Sequence, residues 1–174
     1  MFSDPEKNIK QFDLGNSNHV ADFGAGSGFY SFAAAKAVGA SGKVYAVDVQ
    51  KDLLEKLKHE AKAMHLKNVD IVWADIEKLG GTRLKENSMD AVIAANIFFQ
   101  LEKKEETCLE IKRILKPGGR VLVVDWTSSF GGTGPIQESV FTESMAKKLF
   151  EKNGLKEDRV IKAGTQHYGI IFRK

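Results

Sequence analysis

The chain of 174 residues reads as an α/β protein: a doubly wound, mostly parallel sheet with helices on both faces, ending in an antiparallel hairpin. Three observations predict this. Short apolar runs such as "HVADF", "KVYAVDV" and "RVLVVDW" alternate with segments of helical spacing. Those runs carry apolar residues at successive positions, as strands covered on both sides do. The last two extended runs, "KEDRVIKA" and "HYGIIFRK", are joined only by Gly164 to Gln166, a link too short for a parallel crossover.

Taken in order, "SDPEKNIKQF" has the marks of a helix start, with Ser3 as N-cap, Glu6 completing a capping box and Pro5 in the first turn. It makes residues 1–16 a short cover segment. "HVADF" is a buried strand, and "FYSFAAAKAVG" a helix whose small face, Ala33, Ala34 and Ala37, allows close packing before it ends at Gly39. A second strand, "KVYAVDV", leads to a helix from Lys51 to about Leu66, with Leu53, Leu54, Leu57, Ala61 and Met64 at helical spacing. "VDIVWAD" and "MDAVIAAN" are the third and fourth strands. A helix from about Leu101 to Leu115 follows, and "KPGG" turns the chain into the fifth strand. After the glycine-rich "SSFGGTGP" comes the helix "TESMAKKLFEKNG", capped by Thr142.

Composition narrows the function classes. One domain is expected over residues 1–174, long enough to bury a core. A net charge of +3, without a run of five like charges, gives no basic arm for nucleic acid. The single cysteine, Cys108, cannot form an internal disulfide, and its helical spacing among Leu109, Ile111 and Leu115 makes it a core residue. No apolar stretch reaches the ~18 residues of a membrane span. A cytoplasmic protein, monomeric or homodimeric, is the expectation.

Chemistry concentrates in "VADFGAGSGFY", where Gly24, Gly26 and Gly28 alternate directly after a strand. Ligands of doubly wound sheets bind outside the carboxyl ends of the strands, so this turn faces the ligand. A dinucleotide fingerprint would need its third glycine one residue later, where Phe29 stands. Further carboxylates end the second and third strands at Asp48 and Asp75.

This alternate spacing, with Asp22 two residues before the first glycine, resembles motif I of the class I S-adenosylmethionine-dependent methyltransferases. The family has a Rossmann-like sheet of seven strands. The resemblance implies S-adenosylmethionine as cofactor, S-adenosylhomocysteine as product, and a cofactor site of Asp22, Gly24, Ala25, Gly26, Ser27, Gly28, Asp48, Val49, Asp75, Ile76 and Asn96. In that reading Asp48 accepts from the ribose hydroxyls, Asp75 and the Ile76 amide meet adenine, and Asn96 faces the methionine portion. The cationic cofactor tolerates nearby acids where a pyrophosphate would not. "SMDAVIAANIFFQL", the "KPGG" turn and the tail with "GP" and "HYGIIFRK" are similar to the ubiquinone/menaquinone-biosynthesis type.

The acceptor is expected to be a small apolar or aromatic molecule, since Tyr30, Phe98, Phe99, Trp126, Phe130 and Tyr168 fall in loops or strand ends on the ligand side. His167, at the start of the last strand, is the first candidate general base and Asp125 the second. "SSFGGTGP" has the glycine content of a lid. "AANIFF" lacks the Asn/Asp-Pro-Pro-aromatic motif of base-methylating enzymes, and no metal-ligand cluster stands out. Methylation of RNA or protein, and a non-catalytic cofactor-binding module, stand as the alternatives.

Overall fold

The structure, a computed structural model, describes residues 3–132 and 134–174; Met1 and Phe2 of the cover segment and Thr133 of the glycine-rich loop lie outside the described residues. The elements run α1 (Pro5–Phe12), β1 (His19–Phe23), α2 (Phe29–Val38), β2 (Lys43–Asp48), α3 (Lys51–Ala63), β3 (Val69–Trp73), β4 (Met89–Ala95), α4 (Lys104–Ile114), β5 (Leu115–Trp126), α5 (Glu143–Lys152), β6 (Lys156–Ile161) and β7 (His167–Arg173). Short 3₁₀ turns cover Phe98–Gln100 and Gln137–Ser139. All seven strands join one sheet in the order β3-β2-β1-β4-β5-β7-β6, with β7 antiparallel to both β5 and β6. This is the expected doubly wound sheet with its terminal hairpin. The return strand β7 slots inside β6, which leaves β6 at the edge with its residues mostly exposed.

The alternation of side chains along each strand divides the core in two. On β5, Leu122 and Val124 face α1 and α2 together with Ile9, Phe12 and Val38, whereas Val121 and Val123 face α4 and α5 with Ile111, Phe150 and Phe172. Packed between the sheet and α1, helix α2 is buried almost all round: Ala33, Ala34, Ala35 and Val38 are buried and Ala37 is half-buried. Helix α3 instead presents one stripe, Leu54, Leu57 and Ala61, and Met64 beyond it is exposed.

Several elements differ from the sequence reading. Asp4, not Ser3, caps α1: its carboxylate accepts from the Lys7 amide, and Pro5 takes the first helical position. Ser3 is drawn instead to the Tyr30 hydroxyl, at 2.7 Å. Helix α3 ends at Ala63, because His65 adopts φ 57° just beyond it. Helix α4 begins only at Lys104: the 3₁₀ turn ends at Gln100, Leu101 is extended (φ -74°, ψ 140°), and residues 101–103 belong to neither helix. "KPGG" is a bulge inside β5 rather than a turn before it: the Gly118 amide donates to the Lys174 carbonyl and Lys174 donates back to Gly119, so β7 holds the segment in the ladder. Among the described residues no helix is long and apolar enough to cross a membrane.

Candidate active site

The carboxyl ends of β1, β2 and β4 meet in mid-sheet, where the chain direction of successive crossovers reverses. A crevice opens there because the loops after neighbouring strands leave to opposite faces. The three glycines of the β1–α2 turn divide the work of lining it. A Cβ on Gly24 would fall inside the Ile97 side chain, and one on Gly28 would come within 2.7 Å of Leu57 and 2.8 Å of Phe32. Gly26 is different: a Cβ there would meet nothing closer than the Gly24 carbonyl at 3.9 Å. Two glycines therefore let the turn pack against its own protein, and the third keeps the open side clear.

Carboxylates frame the turn. Asp48 accepts from the Gly26 amide on one oxygen and from the Gln50 amide on the other, each at 2.9 Å, so the end of β2 and the glycine turn are tied together. One lone pair on each oxygen stays free. Asp75 is held by the Glu77 amide at 2.9 Å and by Lys78 at 3.0 Å; the Lys78 and Glu77 hydrogen bonds keep its carboxyl below the usual range. Asp22, 2 % exposed, receives the Ser31 hydroxyl at 2.6 Å. Burial, with the nearby charge of Asp48, pushes its pKa up to about 7 against that hydrogen bond.

Two cavities meet at Gly24. The smaller, about 260 Å³, lies between Asp48 and Asp75 and is also lined by Gly26, Val49 and Ile76. The larger, about 390 Å³, runs from Asp22, Gly24, Ala25 and Asn96 out to Tyr30 and the beginning of α1. At its inner wall Asn96 stands in the left-handed region (φ 56°), its amide bonded to the Val124 carbonyl. Among the described residues the Asn96 side-chain oxygen is buried with no hydrogen-bond partner. A buried acceptor left open in this way suits an N–H donor arriving from outside the chain.

Thus Asp22, Gly24, Ala25, Gly26, Asp48, Val49, Asp75, Ile76 and Asn96 gather around one connected crevice. Ser27 is exposed and Gly28 is buried beneath the turn, and neither lines it. The aromatic residues scatter. Tyr30 lines the larger cavity, but Phe98 is fully buried and stacked on Phe141 at 5.0 Å. Tyr168 is buried with its hydroxyl donated to the Phe141 carbonyl. These two are core residues, a correction to their place in the pocket: their strand and turn positions send them toward α5, away from the crevice. Phe99 packs partly buried against the same core. Trp126, Phe130 and His167 form a separate aromatic group, the Trp126 and His167 rings 4.3 Å apart, and line neither cavity.

Burial lowers the pKa of His167, and among the described residues neither of its ring nitrogens has a hydrogen-bond partner. Asp125 accepts from the Trp126 and Phe99 amides, while burial raises its pKa to about 7. Cys108 is fully buried in the core with its thiol pushed up to about 12 by burial. Sequence reasoning missed Ser3, Pro5 and Phe29, which line the larger cavity, and Gln50, Glu77 and Ile97, which line the smaller. For Gln50, Glu77 and Phe29 adjacency to a named strand-end motif was the available signal. For Ser3 and Pro5 there was none, because α1 reaches the cavity only through the tertiary fold.

Comparison with known proteins decides what such a crevice belongs to: residues 14–170 match the methyltransferase domain family. The chain belongs to that family. It is a methyltransferase domain of the class I, S-adenosylmethionine-dependent kind, near the ubiquinone/menaquinone-biosynthesis type. A solved S-adenosylmethionine-dependent methyltransferase from Aquifex aeolicus is 31% identical and superimposes with a TM-score of 0.89, over 99% of this chain and 90% of that one. An arsenite methyltransferase from Halobacterium salinarum is 30% identical over 61% of this chain and 26% of its own length. A ubiquinone/menaquinone biosynthesis C-methyltransferase from Azotobacter vinelandii is 32% identical over 63% of this chain and 43% of its own. The methyltransferase domain thus spans between about a quarter and half of the curated relatives it matches.

Proposed function

We propose that this chain is an S-adenosylmethionine-dependent methyltransferase that alkylates a small acceptor presenting an apolar or aromatic surface. The observation that carries the proposal is the buried, unpartnered side-chain oxygen of Asn96, set beside Asp22 and Gly24 where the two cavities meet. An ammonium group is the ligand chemistry that such a pair of acceptors suits. Family membership supplies the cofactor that carries one.

In this reading the smaller cavity takes the nucleoside, with Asp48 receiving the ribose hydroxyls on its free lone pairs and Asp75 with the Ile76 amide meeting adenine. Asp22 and Asn96 hold the ammonium. Bound there, the cofactor supplies a methyl group already activated on a sulfonium. The remaining work is alignment and exclusion of water, which can remove on the order of 7–11 kcal/mol from a two-reactant barrier. Gly26 keeps the nucleoside cavity open, and Phe29 and Tyr30 line the larger cavity as the wall against which an acceptor lies.

The relatives named for quinone and arsenite methylation both act on small molecules, in keeping with a cavity of about 390 Å³. Calorimetric titration with S-adenosylmethionine and S-adenosylhomocysteine, with NAD as control, tests the reading. Binding of both sulfur compounds without NAD is the expected result; a folded protein silent to both would overturn it.

A further inference from the structure

The outer wall of the larger cavity contains a polar device to which the reading above assigns no part of the cofactor. Ser3 Oγ and Tyr30 Oη lie 2.7 Å apart, and the Asn8 side-chain amide donates to both, at 2.9 and 2.8 Å. Asn8 and Tyr30 are buried, and Ser3 and Tyr30 line the cavity. The protons can be counted. Two hydroxyls bring two O–H protons, and the Ser3–Tyr30 contact uses one. Each oxygen has two lone pairs; Asn8 occupies one on each and the mutual bond a third. One proton and one lone pair remain uncommitted, and the Asn8 side-chain oxygen, also buried, has no partner among the described residues.

Charge at this wall has one sign. Asp4 and Asp22 both bear on the Tyr30 hydroxyl, and burial, with those two charges, holds the phenol above its usual range against the hydrogen bonds of Ser3 and Asn8, which lower it. Among the described residues lining the cavity there is no lysine, arginine or histidine. Asp4 is paired with Lys7 at 3.0 Å, and Asp22 is the one charged side chain among those lining residues, so the wall offers an anionic acceptor no protein cation.

We propose that Ser3, Asn8 and Tyr30 form the acceptor-recognition element of this methyltransferase, selecting an uncharged molecule through a hydroxyl or carbonyl group that docks on the paired hydroxyls. The proposal rests on the methyltransferase reading above. It makes α1, which brings Ser3 and Asn8 to the cavity, a specificity-determining part of the site and not merely its cover. Tyr30 is a positioning residue here: it holds the acceptor's polar group while the reacting atom faces Gly24 and Asn96.

The test uses phenol, toluene and benzoate as probes, titrated into the full chain with and without S-adenosylhomocysteine and followed through ¹³C-labelled tyrosine ring signals. Tyr30→Phe assigns the Tyr30 signal. Phenol is expected to shift that signal and to bind more tightly than toluene or benzoate. Tyr30→Phe and Ser3→Ala should each weaken phenol by about tenfold, the size of one net hydrogen bond, with S-adenosylhomocysteine affinity within about twofold of the parent, the spread expected of a site not sharing those partners. Unchanged phenol affinity in both variants, equal binding of benzoate, or no phenol binding at all would overturn the assignment. Should Tyr30→Phe fail to fold, Ser3→Ala at its half-exposed position decides alone. Failure of S-adenosylhomocysteine to bind the parent would overturn the methyltransferase reading instead, while the titrations without it still decide the role of the hydroxyls.

Discussion

Asp125 and His167 sit one register position apart on adjacent strands, yet their side chains point to opposite faces of the sheet. Asp125 pairs with Tyr168 and Trp126 pairs with His167, so alternation sends Asp125 toward the α4/α5 core and His167 toward the α1/α2 side. The two residues that sequence position nominates as general bases cannot reach one substrate together. His167 shares its face with Asp22 and Tyr30; Asp125 instead ties the turn at Phe99 to the end of β5.

Buried Asp22 and Asp125 impose a pH dependence on stability. Both have folded-state pKa values raised from 3.8 to about 7. Below about pH 4 both are protonated folded and unfolded, and contribute no slope. Between about 4 and 7 the unfolded chain is ionised and the folded one protonated, so unfolding releases protons and stability falls as pH rises. Above about 7 the loss, a few kcal/mol in order of magnitude, levels off. Urea unfolding from pH 4.5 to 8, about 0.5 unit apart, should show this decline, and Asp125→Asn should flatten it. A midpoint that rises with pH for the parent would contradict it.

On the proposed reading the same protonation governs cofactor binding. An ammonium favours the ionised form of Asp22, so S-adenosylhomocysteine binding below pH 7 should release a proton and its affinity should rise with pH up to about 7. Calorimetry in buffers of different ionisation enthalpy counts that proton. Asp22→Asn should abolish the release and weaken binding by at least about tenfold, the range of a charge-assisted hydrogen bond.

The glycines separate folding from binding. Gly26→Ala meets open space and should cost only the strain of φ +51°, about 1–2 kcal/mol, while blocking the crevice. Gly28→Ala drives a methyl into Leu57 and Phe32 and should destabilise by about 1–3 kcal/mol more. Thermal unfolding and S-adenosylhomocysteine titration on both variants check the contrast: a folded Gly26→Ala that binds normally would remove Gly26 from the site.

Away from the crevice, Glu110 is fully buried and accepts from the Gly80 amide, the Thr82 hydroxyl and two Arg113 nitrogens at 2.8 Å. Burial alone would raise its pKa, but Arg113, Thr82 and Gly80 outweigh it and hold it below the usual range. Removing the carboxylate leaves Arg113 its hydrogen bond to the Leu84 carbonyl but takes away its buried counter-charge. Glu110→Ala should cost about 3–5 kcal/mol, read from denaturant unfolding. Saturating S-adenosylhomocysteine should still bind the folded fraction with parental affinity, because Glu110 lines neither cavity.

Much of this was written into the chain locally. Runs such as "RVLVVDW" and the link of Gly164 to Gln166 are enough for the parallel sheet and its antiparallel end, since strand burial and loop reach depend on neighbours in sequence. Gly24, Gly26, Asp48 and Asp75 were legible because strand ends in a doubly wound sheet must converge. Aromatic positions were not. Phe98 and Phe99 are adjacent, yet one is sealed against Phe141 and the other only half-buried, a difference set by the 3₁₀ turn and by α5 packing over it.

By itself, then, the sequence determined the order of elements, the glycine turn and the carboxylates at the strand ends, all consequences of short-range spacing. The tertiary structure alone decided which glycine stays open, which face His167 and Asp125 take, and that Ser3 and Asn8 join Tyr30 at the cavity wall. Those facts depend on contacts between residues 22 to 27 positions apart, or on strands related only through the sheet, and no local pattern encodes the partner at such a distance.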